Sequence, residues 1–207
     1  MLDYEQHLFA QGYSLIAGCD EAGRGPLCGP VVSACCVLPV GYVNEAIDDS
    51  KKLSEKKREA LYDEIVRNAL HFAIVAISPE EIDRINIYEA SRKGMIEAIR
   101  ASGCRPDYIL TDCMPLHTFP DIPQESLVKG DARAMCIAAA SILAKVTRDR
   151  IMIELDRQYP EYRLARHKGY PTKEHLELLK KYGPVKGLYR YSYRPVREAL
   201  SEQLTIF

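Results

Sequence analysis

Residues 14–39 constrain the fold more than any other stretch of the chain. Two short apolar runs, "SLIAGCD" (14–20) and "GPVVSACCVLP" (29–39), are separated only by Glu21 to Cys28. The second run is rich in valine and bounded by Pro30 and Pro39, and the link holds Gly23 and Gly25. This pattern reads as two strands joined by a glycine-rich connection. "HFAIVAIS" (71–78) and "DYILTD" (107–112) read as a third and a fourth strand, and "SLVKGD" (126–131) as a shorter fifth.

Helical periodicity fills the gaps. Ser54 precedes a stretch that places Leu61, Ile65 and Ala69 on one face, and it can cap that helix. "NIYEASRKGMIEAIRASG" is a second helix ended by Gly103. The alanine-rich run from Ala132 is the longest and stops at Pro160. Pro171 to Tyr182 and Pro195 to Leu204 complete the set. The expected fold is α/β, a mixed sheet followed by a helical C-terminal part. We expect one main domain over residues 1–207, with a helical lobe from about residue 160.

Composition narrows the class. No apolar run reaches the roughly 18 residues of a membrane span, and the acidic start lacks the basic segment of a secretory signal. Seven cysteines with no C-x-x-C pair, most of them inside apolar runs (Cys19, Cys35, Cys36, Cys136), point to reduced, buried thiols in a cytosolic protein. Net charge is only −1, but residues 129–207 hold 16 basic and 9 acidic side chains against 12 and 20 in the first 128. Such asymmetry suits an acidic site beside a polyanion-facing surface, or two oppositely charged faces without a partner.

The chemistry starts at the strand ends. Asp20 closes the first run and Asp112 closes "YILTD". If those strands are neighbours, both acids meet at one edge of the sheet. Desolvated like charges disfavour ionisation unless a cation is shared, and hard divalent ions prefer such oxygen ligands. Asp131 is either a further ligand or a helix cap. Glu21 alternates in direction from Asp20 and joins the same site only if the chain bends there, which Gly23 and Gly25 permit. Gly23-Arg24-Gly25 is either a tight turn or a place where backbone groups approach a sugar-phosphate. Lys51 lies near a helix N-terminus, where an anion would sit. Tyr170, between Gly169 and Pro171, is surrounded in sequence by Arg163, Arg166, His167, Lys168, Lys173 and His175. Basic residues interleaved with a tyrosine suit backbone neutralisation and stacking, although His167 also reads as a buried structural histidine. Tyr189, Tyr191 and Tyr193 form either a second stacking surface or a short strand packed on the core.

Taken in order, "GCDEAGRGPLCGPVVSACCVLP", "DDSKKLS", "IDRINIYEAS", "YILTD", "LVKGDARAMCIAAASILAKVTRDRIM" and "HKGYPTKEH" resemble ribonuclease HII across nearly the whole chain. The resemblance implies a ribonuclease H-like fold with a mixed five-stranded sheet flanked by helices. It implies hydrolysis of the RNA strand of RNA–DNA hybrids, and cutting 5′ of ribonucleotides embedded in duplex DNA. It also implies two-metal chemistry with Mg²⁺ or Mn²⁺, leaving 3′-hydroxyl and 5′-phosphate ends. By the same resemblance Asp20, Glu21, Asp112 and Asp131 are the catalytic metal ligands. Gly23, Arg24 and Gly25 would read the 2′-hydroxyl, Tyr170 would stack at the RNA–DNA junction, and Lys51 would meet a phosphate. Cys113 stands where the family has Gly or Ala, and Tyr191 where it tends to have a second arginine. Ribonuclease HIII, a relative, carries an additional N-terminal domain, for which the dozen residues before the first strand leave no room. The tail "SEQLTIF" is either an ordinary apolar chain end or a sliding-clamp-binding peptide, and a monomer is expected.

Overall fold

The structure is a computed structural model that describes residues 3–47 and 53–204. In chain order the elements are α1 (Asp3–Ala10), β1 (Ile16–Ala22), β2 (Val31–Val37), α2 (Glu55–Asn68), β3 (His71–Ile77), α3 (Pro79–Ile85), α4 (Ile87–Ala101), β4 (Tyr108–Asp112), β5 (Gln124–Leu127), α5 (Met135–Gln158), α6 (Leu164–His167), α7 (Lys173–Tyr182) and α8 (Arg194–Leu204). The strands form one mixed five-stranded sheet in the order β3-β2-β1-β4-β5. β2 runs antiparallel to both β1 and β3, whereas β4 runs parallel to β1 and β5 parallel to β4.

Strand alternation splits the core in two. Ile16, Val32, Ala34, Cys36 and Leu110 face α5 and α2, and Ala17, Cys19, Cys35, Val37 and Ile109 face α4. β2 is buried along its whole length because helices cover both faces, and its one polar residue, Ser33, donates its hydroxyl to Ser91 O. α5 lies against β1 so closely that a Cβ on Gly18 would stand 2.3 Å from the Cys136 carbonyl carbon. Only glycine at that strand position, and alanines along the facing helix, permit the approach. A third cluster, with Leu27, Tyr162, Leu164, Leu179, Tyr189 and Val196, joins the C-terminal helices to the link between β1 and β2. Among the described residues, no helix is long and apolar enough to cross a membrane.

Caps follow the sequence where it signals them. Ser54 accepts from the Lys57 amide and Thr172 from the His175 amide. α5 lacks a cap of its own, since its N-cap residue is Ala134. Glu5 of α1 supplies one from a distance, its Oε1 accepting from the Cys136 amide at 2.8 Å.

Three expectations need correction. The fifth strand ends at Leu127 rather than Asp131, because Lys129 turns left-handed (φ 56°) and Gly130–Ala132 form a 3₁₀ turn. Asp131 lies on that turn and is not the cap of the long helix, which starts at Met135. The helices α1 and α3 were not anticipated, although Ser78 before Pro79 carries the start signal for α3, and Ser78 does accept from the Glu81 amide.

Candidate metal centre and its cleft

The sheet order explains why distant acids meet. β1 and β4 are parallel neighbours with Cys19 opposite Thr111, so the next residues, Asp20 and Asp112, leave the sheet at one edge and on one side. The 3₁₀ turn brings up Asp131, and Gly130 ties turn to strand by donating its N–H to Asp112 Oδ1 at 2.7 Å. Carboxylate oxygens of Asp20, Asp112 and Asp131 all lie within 4.8 Å of one another. Asp20 and Asp131 are buried. Burial pushes the Asp20 carboxyl well above the usual carboxylate range; the negative charges of Glu21 and Asp112 add to this, and a hydrogen bond from the Ser141 hydroxyl opposes it. Three mutually repelling, oxygen-only donors at this spacing fit a hard divalent cation, whose charge removes the repulsion.

Glu21 stands beside this trio rather than in it. β1 continues through Glu21 to Ala22, so Glu21 does not share Asp20's face of the strand, yet it lines the same cleft as Asp112 and its charge acts on Asp20. Glu21 Oε1 lies 3.5 Å from Arg24 Nη1. Both residues line a cleft of about 370 Å³ together with Gly23, Gly25, Asp112 and Tyr170. A larger hollow of about 520 Å³ beside α3 and α4 is lined by charged side chains such as Glu81, Arg84 and Lys93, which pair with one another, and holds none of these acids.

The loop after β1 is tightly packed. Gly23 adopts φ +103°, and a Cβ there would meet Arg148 Nε at 2.1 Å and Pro30 O at 3.0 Å. Gly25 has more room: its nearest neighbour would be Tyr170 Cε1 at 3.6 Å. Tyr170 is 42% exposed and forms one wall of the cleft. Its carbonyl accepts from His175 Nδ1 at 2.9 Å, while His175 Nε2 accepts from the Tyr189 hydroxyl at 2.9 Å. His167 stacks on His175 with ring centroids 4.2 Å apart, donates Nε2–H to Tyr162 O, and accepts at Nδ1 from the Gly169 amide. Both histidines are buried and structural, as one reading of His167 had it. Arg163 and Arg166 pair with Glu174. Tyr189 is buried in the third cluster and bridges Cys28 antiparallel, Tyr191 donates to Pro184 O and Tyr193 donates to Arg24 O, so the three form no stacking surface and the strand is reduced to that single bridge. Lys51 lies outside the described residues.

A sequence profile described as Ribonuclease HII matches residues 17–196. The chain belongs to the ribonuclease HII family. The ribonuclease HII of Bacillus cytotoxicus is 47% identical over 204 residues, covering 99% of this chain and 78% of that protein. Among solved structures, the ribonuclease H2 of Pyrococcus horikoshii OT3 superposes with a TM-score of 0.77 at 27% identity, covering 90% of this chain and 97% of that one. The PCNA:RNase HII complex from Archaeoglobus fulgidus superposes at 0.74 and 27% identity, covering 87% and 95%. As a ribonuclease HII the chain is an endoribonuclease that degrades the RNA of RNA–DNA hybrids, in a family that uses divalent metals.

Several residues around the candidate site escaped the sequence reading. Ser141, Lys145 and Arg148 sit at helical spacing on α5. Ser141 bonds Asp20, Lys145 lines the cleft while paired with Asp149, and Arg148 packs against Gly23. The signal was present as three polar side chains at helical spacing, the first two of them set in the apolar N-terminal half of α5. Cys113 explains its own oddity: its φ is 52°, a conformation that glycine adopts without strain.

Proposed function

We propose that this enzyme cuts on the 5′ side of ribonucleotides embedded in duplex DNA, as well as within RNA–DNA hybrids, by two-metal-ion hydrolysis. The observation that carries the reading is the convergence of Asp20, Asp112 and Asp131, of which Asp112 lines a cleft walled also by Gly23–Gly25 and Tyr170. Asp20, Asp112 and Asp131 would hold Mg²⁺ or Mn²⁺, with Glu21 completing the set from the adjacent strand position. When bound, the ions supply a hydroxide at neutral pH and charge to stabilise the leaving 3′-oxygen. The chain's own groups do the remaining work. Ser141 orients Asp20, and the Gly130 amide holds Asp112, so the ligand oxygens are fixed before substrate arrives. Backbone groups of Gly23, Arg24 and Gly25 meet the ribose and read the 2′-hydroxyl, the group that separates RNA from DNA at the sugar. Tyr170 stacks at the RNA–DNA junction, and Lys51 meets a backbone phosphate.

The test is a duplex with a single embedded ribonucleotide, incubated with Mg²⁺, with Mn²⁺ and with EDTA. One cut 5′ of the ribonucleotide, leaving 3′-hydroxyl and 5′-phosphate ends and lost in EDTA, is expected; an intact duplex with both metals removes the reading. Tyr170→Ala should weaken binding at the junction by about 1–3 kcal/mol, the worth of one stacked base, and an unchanged affinity takes Tyr170 out of the site. The reading places a monomeric enzyme in the cytoplasm, serving ribonucleotide removal. The Archaeoglobus fulgidus structure, a PCNA:RNase HII complex, supports a clamp contact here, and the tail from Gln203 to Phe207 is the segment that would make it. Thr205–Phe207 lie outside the described residues; their deletion should abolish clamp pull-down and leave hydrolysis intact.

A further inference from the structure

Among the described arginine, lysine and carboxylate side chains, Arg148 and Arg190 are the most buried, at 1% and 0% exposure. Both direct their guanidinium groups at backbone carbonyls. Arg148 donates to Pro30 O, Lys168 O and Cys28 O at 3.0, 3.0 and 3.3 Å. Arg190 donates Nε to Gly29 O at 3.0 Å, Nη1 to Arg24 O at 3.1 Å and Nη2 to Gly23 O at 2.7 Å. Tyr193 reinforces it, donating its hydroxyl to Arg24 O at 2.6 Å and accepting from Arg190 Nη1 at 3.0 Å. A buried cation is costly to keep, and a planar fork of five donors is what holds three carbonyls at set angles.

The geometry has a direct consequence for the loop. The described backbone has no cis peptide, so each C=O points opposite to the N–H of the same unit. Binding Gly23 O and Arg24 O to a buried guanidinium therefore turns the N–H groups of Arg24 and Gly25 the other way, toward the side where these residues line the cleft. Neither amide donates to another backbone group among the described residues. Two successive outward N–H groups form a small anion- and oxygen-accepting concavity.

We infer that Arg190 is a positioning residue for ribose recognition: from behind the loop, with Tyr193, it fixes two peptide planes so that the Arg24 and Gly25 amides face the sugar. This rests on the reading that Gly23–Gly25 meets the ribose. The test uses the full chain carrying Asp112→Asn, so that substrate survives. Affinity is measured in Mg²⁺ for an all-DNA duplex and for the same duplex with one ribonucleotide. Arg190→Lys keeps the charge and loses the fork; Tyr193→Phe removes one oxygen. The ribonucleotide preference should fall roughly tenfold in Arg190→Lys, which loses the fork's charged hydrogen bonds to the loop, and roughly threefold in Tyr193→Phe, which loses the bond to Arg24 O and the one accepted from Arg190. All-DNA affinity should stay within about twofold, since phosphate contacts supply it. A folded Arg190→Lys with the parental preference overturns the inference. If that variant does not fold, an unchanged preference in Tyr193→Phe overturns it instead. A parent that shows no ribonucleotide preference removes the loop reading itself, and the positioning role with it.

Discussion

Gly23 and Gly25 stand two residues apart, yet alanine should affect them in opposite ways. At Gly23 the backbone has φ +103°, and the new Cβ would lie 2.1 Å from Arg148 Nε and 2.4 Å from Arg148 Cδ. Arg148 cannot swing clear, because its guanidinium is bound to three carbonyls and it is buried. Backbone strain at such an angle costs about 1–3 kcal/mol, and over-packing about 1–3 kcal/mol more. The expected loss is therefore roughly 2–6 kcal/mol, which for a chain of this size lowers Tm by roughly 4–24 °C at about 2–4 °C per kcal/mol. At Gly25 no positive φ applies, and the Cβ would meet Tyr170 Cε1 at an ordinary 3.6 Å. Gly25→Ala should then stay within about 0.5 kcal/mol of the parent, while its methyl intrudes on the wall that faces substrate. Thermal unfolding beside cleavage of a duplex with one ribonucleotide separates the two. Gly23→Ala should lose both stability and activity, and Gly25→Ala activity alone. A Gly23→Ala protein melting within a degree of the parent refutes the packing argument. A Gly25→Ala protein of parental activity refutes the close approach of this loop to the sugar.

Other perturbations follow from the same geometry. Asp112→Asn should abolish cleavage yet raise Tm in EDTA, because one of three crowded carboxylates loses its charge; Mg²⁺ should stabilise the parent and not the variant, and normal turnover by the variant would remove Asp112 from the site. Burial holds the His175 pKa down at about 4, and its hydrogen bonds are those of a neutral ring. The unfolded state then binds the extra proton first, so this stabilisation is complete above the ordinary value of 6.5 and is lost as pH falls toward 4. The loss amounts to about 3 kcal/mol, and His175→Gln should flatten that limb of a Tm-against-pH curve. Glu5→Ala should cost about 1–2 kcal/mol as a lost helix cap. Glu5→Gln should be close to neutral in urea unfolding, since it keeps an acceptor for the Cys136 amide and burial already pushes the Glu5 carboxyl upward.

Much of the architecture is legible in local sequence. Valine-rich runs between prolines and glycines are strands because nothing else buries them so economically, and Ser54 and Thr172 act as caps because their hydroxyls reach amides three residues on. The endings of "SLIAGCD" and "YILTD" in carboxylates are equally plain in the chain. Their meeting depends on β4 crossing over to lie parallel beside β1, a pairing between segments some 90 residues apart that no local pattern specifies. The same limit hid Asp131 on its 3₁₀ turn, Glu5 capping a helix far along the chain, and the two arginines behind the glycine loop. Local sequence decides backbone preference and which face is apolar, because those energies act between near neighbours. Which carboxylates come within reach of one another, and which buried guanidinium binds which carbonyl, is decided when the sheet and α5 close over one another, because only then are these charges withdrawn from water.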